Sequence, residues 1–188
     1  MAWLTARLRL DALRETDAPA LLRYRADPRV SRYQGWRPAD ESEALRFIRA
    51  QQASRPDLPG SWWQRAIRLR EDDTLVGDLG LHFLDDASAA TVELGISLAP
   101  ERQGQGLAVE VLRAAFEQLF GALGKHRVIA SVDPRNTACV RLLERLGMRK
   151  EAHFRASLRD GDGWADDAVY ALLDVEWRAG RTEQADRG

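Results

Sequence analysis

Two glycines with one residue between them, Gly104 and Gly106, sit in the run Gln103-Gly104-Gln105-Gly106, just after a strand-like segment that stops at Ala99-Pro100. An apolar repeat at helical spacing follows directly. A glycine-containing turn that opens a helix lines up backbone N–H groups at the positive end of the helix dipole, an arrangement suited to anionic oxygens such as those of a phosphate. A side chain at the glycine positions would hold a ligand away from the backbone. The spacing lacks the third glycine of a dinucleotide-binding turn, and no Gly-Lys-Ser/Thr follows to make a P-loop. From the glycines alone, a plain strand-to-helix connection stays open beside the anion site. The remaining reactive side chains are sparse. Cys139 is the single cysteine, which excludes an intramolecular disulfide and a cysteine-based zinc site. The three histidines, His82, His126 and His153, are scattered, and no metal site is expected from them.

The chain has 188 residues, 45% of them apolar, enough for the core of one domain. Its 28 basic and 29 acidic residues leave a net charge of −1, so no global field favours nucleic acid or an anionic membrane. All basic residues except Lys125 and Lys150 are arginine, spread along the whole chain rather than clustered. No apolar run is long enough to span a bilayer, and the opening Met1-Ala2-Trp3-Leu4-Thr5 has no apolar signal region. The expectation is a cytoplasmic protein.

These side chains must be positioned by an alternation of strands and helices. Leu4–Leu10 reads as a first strand. A helix starts near Asp17, an N-cap with Pro19 in the first turn, and stops at Asp27-Pro28; a second begins at Asp40, with Glu43 three residues on. Trp63–Leu69, Leu75–Leu84 and, after a small-residue turn, Thr91–Leu98 alternate as strands. A helix from about Gln105 carries Leu107, Val111, Leu112 and Phe116; Val128–Val132 is a buried strand; Asn136–Leu146 is a helix closed by Gly147. Arg149–Leu158 and Trp164–Val175 are closing strands about the turn Asp160–Gly163, and the polar residues 179–188 read as a disordered tail. The pattern implies an α+β domain, an α/β arrangement around one mixed sheet.

Gln103-Gly104-Gln105-Gly106-Leu107-Ala108 resembles the Q/R-x-x-G-x-G/A motif of the GNAT superfamily of N-acetyltransferases. Glu93–Pro100 is similar to the strand that leads into it, and Asp133–Cys139 with Leu142–Met148 to that family's second cofactor-side helix. Arg9-Leu10, Asp27–Val30, Gly77–Leu81, Asp167–Tyr170 and Glu176-Trp177 fit the branch that acetylates the N-termini of ribosomal proteins, the RimJ/RimL-like enzymes. The likeness covers residues 7–178 and implies the acyl-CoA N-acyltransferase fold, a central mixed, splayed sheet flanked by helices.

It also implies acetyl-CoA as co-substrate. The amides of Gln103, Gly104, Gln105, Gly106, Leu107 and Ala108 would take the pyrophosphate. Pantetheine would lie along Ile96, Ser97 and Leu98, in a gap between that strand and its parallel neighbour Val128–Val132. An N–H near Leu98 would face the thioester carbonyl. Glu93, on the strand nearest the thioester, is the candidate base; a sheet glutamate in a salt bridge is the alternative. The family's tyrosine on the second helix is missing, Leu143 standing in its place, and Cys139 stands where the branch often has serine. Cys139 is therefore carried as a candidate proton donor, with a small buried helix residue as the alternative. Asn136 could touch cofactor or simply cap its helix. Tyr33, Trp36 and Trp62 flank the region where the family builds its acceptor site; Trp63 reads as core, and His82 and His153 have no assigned task. The acceptor is expected to be a primary amine, first a protein N-terminal α-amine and second a small amine such as an amino acid, polyamine or aminosugar. A non-catalytic acyl-CoA sensor is a third reading. Exposed late strands leave room for a homodimer.

Overall fold

The computed structural model describes residues 2–86 and 90–185. Its strands are β1 (Trp3–Leu4), β2 (Leu8–Asp11), β3 (Ser61–Leu69), β4 (Leu75–Phe83), β5 (Thr91–Leu98), β6 (Arg127–Val132), β7 (Arg149–Asp160) and β8 (Gly163–Leu173). They form one sheet in the order β1-β2-β3-β4-β5-β6-β8-β7. Every neighbour pair is antiparallel except β5 and β6, which run parallel. A parallel pair needs a crossover, here supplied by the helix that follows the glycine turn. The helices are α1 (Ala18–Arg25), α2 (Pro28–Ser31), α3 (Glu41–Gln52), α4 (Leu107–Phe116, prolonged by π-type turns over Glu117–Ala122), α5 (Thr137–Arg145) and α6 (Asp174–Ala185). No helix of the described residues is long and apolar enough to cross a membrane.

The two faces of the sheet bury different sets. Ala66 packs with Leu21, Tyr24, Ala44 and Ile48 of α1 and α3. Ile67, one residue on and therefore on the opposite face, packs with Leu79, Leu94, Val111, Leu112 and Phe116 in the larger cluster under α4. α1 is also tied to the sheet by a polar knot. Asp78 of β4, with no solvent exposure, accepts from Tyr24 Oη (2.6 Å), from Arg25 Nε (3.0 Å), and from Arg25 Nη2 and Gln64 Nε2. Arg25 Nη1 in turn donates to Gln34 Oε1 (3.3 Å), which fixes the chain just beyond α2. This segment is held by buried charge rather than by apolar periodicity, because each lone pair of Asp78 has a donor.

Three elements differ from their sequence-based expectation. The single strand Leu4–Leu10 is instead the hairpin β1–β2, with Trp3 opposite Leu10. Thr5 closes it: its N–H donates to Leu8 O (2.9 Å) and its Oγ accepts from Leu8 N–H (2.9 Å). Asp17 precedes α1 but does not cap it; its carboxylate accepts from Arg14 N–H (2.6 Å) and from both ends of the buried Arg68 guanidinium (2.9 and 2.5 Å). The last strand stops at Leu173, and α6 runs through Ala185 where a disordered tail was expected from Ala179. Trp177 explains the helix, since it packs edge-on against Phe116 (5.3 Å between ring centres) and near Phe120. Residues 186–188, the end of that expected tail, and residues 87–89, in the small-residue turn before β5, lie outside the described residues.

Candidate functional site

β5 carries the site because its two edges are paired unequally. Glu93, Gly95 and Ser97 stand opposite His82, Gly80 and Asp78 of β4. They are in phase with two hydrogen-bonded positions, Leu84 N–H to Thr91 O (3.1 Å) and Ala99 N–H to Val76 O (2.9 Å). Peptide groups alternate direction along a strand, so those of Ile96 and Leu98 face away from β4, toward β6. β6 meets β5 only at Thr91–Arg127, Val92–Val128 and Glu93–Ile129. Past that point the strands diverge, and a cavity of about 420 Å³ fills the gap. Glu93, Gly95 and Ile96 line one wall, Ala130 and Val132 of β6 the other. The splay expected between these two strands is thus observed.

The glycine turn follows β5 in the chain, through the short helical turn Pro100–Arg102, and its residues do not line the cavity. Gly104 and Gly106 have φ of 72° and 76°, a left-handed conformation that favours glycine. Gln103 donates its own N–H to Pro100 O (3.3 Å), and its side-chain amide donates to Leu98 O (3.0 Å). The first α4 residue to donate along the helix is Glu110, to Gly106 O (3.2 Å). Between them, the N–H groups of Gly104 to Val109 are not spent on carbonyls of the described residues, and a Cβ on Gly104 would meet nothing within 4 Å among them. Leu107 itself is buried, so its amide, not its side chain, is what the turn offers. The helix begins at Leu107 rather than at Gln105, leaving the whole of Gln103–Gly106 as the turn.

A clamp holds this turn that no local pattern announces. Glu110 of α4 accepts from Thr5 Oγ (2.5 Å), Arg7 N–H (2.8 Å) and Arg7 Nε (2.7 Å), while Arg7 Nη1 donates to Gln105 O (3.0 Å). The hairpin loop between β1 and β2 thereby steadies the turn's carbonyl side and places a guanidinium beside it. The partners are about a hundred residues apart in sequence, so only the fold could reveal them.

The cavity collects most of the other candidates. Glu93, Asn136 and Cys139 line it, as do Tyr33 and Trp62. Glu93 is partly exposed and lies 3.4 Å from His82 Nδ1. Asn136 caps α5, its Oδ1 accepting from Cys139 N–H (3.2 Å), while the residue also lines the cavity. Tyr33 Oη donates to Arg135 O (3.4 Å), and Arg135 bridges Asp133 (2.5 Å) and Asp160 (2.7 Å), so the acidic turn reaches the cavity mouth already paired. Three candidates lie elsewhere. Trp36 does not line the cavity; it stacks on Phe47 (4.3 Å between ring centres) and donates Nε1–H to Glu43 Oε1 (3.2 Å). The Ser97 side chain is buried on the α1 face of the sheet with no hydrogen-bond partner among the described residues, and Leu98 belongs to the core under α4. Ser97 directs its peptide groups to β4, so of the trio Ile96–Leu98 only Ile96 and Leu98 open toward the gap.

Burial pushes the Cys139 thiol up to about 11. A coenzyme thiol near 8.5, by analogy with cysteine, is then the stronger acid, and Cys139 can offer a hydrogen bond but not readily a proton. At pH 8 its alkylation by iodoacetamide is expected to run at least about tenfold slower than that of free cysteine, the smaller thiolate fraction outweighing the greater nucleophilicity of a more basic thiolate, and to quicken steadily as pH rises. Alkylation as fast as free cysteine would show that the thiol is not desolvated.

Residues 7–149 match the family described as the acetyltransferase (GNAT) domain. The uncharacterized N-acetyltransferase YnaD of Bacillus subtilis is 28% identical over 173 residues, 92% of this chain and 97% of that protein. The [ribosomal protein uS5]-alanine N-acetyltransferase of Escherichia coli is 35% identical over 88 residues, 47% of this chain and 45% of that protein. A crystal structure of a GNAT-family acetyltransferase from Bacillus anthracis superimposes with a TM-score of 0.83 at 26% identity, covering 94% of this chain and 100% of that one. The mixed, splayed sheet flanked by helices is the fold these relatives share.

Proposed function

This chain belongs to the GNAT acetyltransferase family and is an N-acetyltransferase of that type; from that premise we propose that its acceptor is the free α-amine of a peptide or protein. Members of the family use acetyl-CoA. The single observation that carries the site is the pair of open features on consecutive segments: the edge of β5 at Ile96 and Leu98, which β6 leaves unpaired and where only the Leu98 carbonyl is taken, by the Gln103 side chain, and the uncommitted amides of Gly104–Val109. A pyrophosphate fits the second and an extended pantetheine arm the first. Asn136 stands where it can hydrogen-bond the arm from the α5 side.

The Leu98 N–H is the proposed donor to the thioester oxygen, whose negative charge grows as the amine nitrogen bonds to the carbonyl carbon. The C–S bond then breaks, the nitrogen's second proton passes to the departing thiolate, directly or through water, and the amide product carries the acetyl group. Before attack the acceptor ammonium must lose a proton, and Glu93, in the same cavity, is the proposed recipient, directly or through one water. An α-amine, with a reference value near 8, gives up that proton far more readily than a lysine near 10.4. The leaving thiolate needs little help, which accords with a Cys139 that only donates a hydrogen bond. Tyr33 and Trp62 would flank the acceptor, and Gly95, bare of any side chain, leaves room for its backbone. The likeness to the uS5-alanine enzyme, over about half of each chain, supports a protein N-terminus. The proposed domain spans residues 7–178 and acts in the cytoplasm; the exposed edge strand β7 with Phe154, and the exposed Trp164, support a homodimer.

The test is CoA release on peptides beginning with free alanine or serine, on the same peptides acetylated in advance, and on a panel of amino acids, polyamines and aminosugars. Turnover confined to free-N-terminal peptides is expected. Turnover confined to small amines would replace the acceptor class, and none on any panel, with acetyl-CoA still bound, would favour the sensor.

A further inference from the structure

We infer that His82 is a positioning residue for Glu93, holding the carboxylate in the geometry in which it takes the acceptor's proton; the inference rests on Glu93 being the base. Three adjacent strands bring the parts together. In the sheet register Trp62 of β3 lies opposite His82 of β4, and His82 lies opposite Glu93 of β5. All three side chains therefore stand in one row on one face. The indole of Trp62 is stacked flat on the His82 imidazole, with ring centres 4.7 Å apart and planes within 9° of parallel. That stack leaves the imidazole little freedom to turn, and it points Nδ1 at Glu93 Oε2, 3.4 Å away.

The neighbouring glycine shows that the stack is built into the backbone. Gly80 of β4 lies under the same indole: a Cβ there would come within 3.1 and 3.2 Å of Trp62 ring carbons and 2.8 Å of Gln64 Oε1. Only a residue without a side chain lets the indole lie across β4 and reach His82. Trp62 and Glu93 both line the cavity, so the row ends at the reaction site and His82 sits one step behind it. A distance of 3.4 Å is long for a hydrogen bond, as catalytic contacts often are before substrate is bound.

With its proton on Nδ1, neutral His82 donates to the Glu93 carboxylate and fixes one of its oxygens, leaving the other to the acceptor amine. A glutamate side chain has three rotatable bonds, and misplacing a reacting group by about 1 Å can cost as much as about a hundredfold in rate. His82 acts through Glu93 and touches no substrate.

The test has a spectroscopic arm and a kinetic arm. Long-range ¹⁵N–¹H spectra of the intact chain, which has three histidines to assign, should show neutral His82 with its proton on Nδ1. The Glu93→Leu variant should return it to the Nε2 form that a free imidazole prefers. His82→Phe keeps a ring on Trp62 but loses the nitrogen; with a peptide bearing a free N-terminal alanine its kcat should fall about tenfold, and KM for acetyl-CoA should stay within about twofold. His82→Asn, which puts an N–H close to the Nδ1 position, should recover most of the loss. A wild-type His82 protonated on Nε2, or a His82→Phe variant with unchanged kcat, overturns the inference. The expected tautomer together with full activity in Glu93→Gln would overturn the base assignment instead, and with it any catalytic purpose for the pair. The tautomer measurement needs no acceptor, so it decides the contact even if the peptide is not turned over.

Discussion

Glu93→Gln is expected to lower kcat on a free-N-terminal peptide by two to three orders of magnitude while acetyl-CoA binds within about twofold of wild type. The substitution keeps the size of the side chain and its place in the cavity wall, and removes only the ability to accept a proton. The acceptor must then lose its proton to solvent. The reference value of an α-amine is near 8, so the fraction already deprotonated grows about tenfold per pH unit below that value. The deficit should therefore be largest at low pH and shrink as pH rises to 9. Steady-state kinetics from pH 6 to 9, with acetyl-CoA affinity measured separately by calorimetry, reads both parts. A variant whose rate and pH profile match wild type would remove Glu93 from the chemistry and leave it a sheet glutamate paired with His82.

The second large effect is on stability. Asp78→Ala should destabilise the fold by about 3 to 5 kcal/mol, the range for removing one partner of a buried ion pair. Asp78 is fully buried and receives donors from Tyr24, Arg25 and Gln64 at once; without it the Arg25 guanidinium, itself only 7% exposed, keeps its charge in a site with no counter-ion. For a chain of this length the melting temperature should drop by roughly 10 °C, with larger losses at the upper end. Asp78→Asn should fall between, since an amide still accepts from Tyr24 but cannot balance Arg25. Thermal unfolding by circular dichroism is sufficient. A drop under about 2 °C for Asp78→Ala would mean that water reaches the pair. The knot also links the site to the fold, because Arg25 holds Gln34 and Gln34 lines the cavity. Asp78→Ala should accordingly lose acceptor turnover before it loses acetyl-CoA binding as temperature is raised.

What could be read from the sequence follows from the range of the forces involved. The path from β5 through the glycine turn into α4 is encoded locally: strict alternation from Val92 to Leu98, a proline stop, two glycines and a helical apolar repeat. The α5 cap is equally local, since Asn136 needs only the N–H three residues on. Even the divergence of β5 from β6 was foreseeable, though through family resemblance rather than periodicity. By contrast, the β1–β2 hairpin turns at Thr5–Arg7, a segment without glycine, proline or asparagine, so its alternation looked continuous. Trp36 reads as an acceptor-site aromatic because it flanks the N-terminal helices where the resembled family builds that site; its stacking on Phe47 depends on how α3 packs. The α6 helix was missed because its apolar anchor, Trp177, docks on Phe116 and Phe120 of another element. The contacts that arm the site share this property. Thr5 and Arg7 on Glu110, and Trp62 on His82 on Glu93, are set by strand register and crossover, and none leaves a trace in a short window of sequence.

In the proposed mechanism everything depends on the amides beginning at Gly104, which would grip the diphosphate of acetyl-CoA and so aim its thioester into the gap beside β5. Titration calorimetry of the intact chain with acetyl-CoA, repeated on Gly106→Val, tests it most directly. Gly106 holds a φ of 76°, where a β-branched residue is strained, and a Cβ there would come within 3.7 Å of the Arg7 guanidinium that steadies the turn. Losing two such charge-assisted hydrogen bonds amounts to about 3 to 4 kcal/mol, or at least a hundredfold in affinity. Clear one-site binding by the wild type is expected, with a loss of that size in a variant that still melts cooperatively. No binding by the wild type, or equal binding by both proteins, would contradict it.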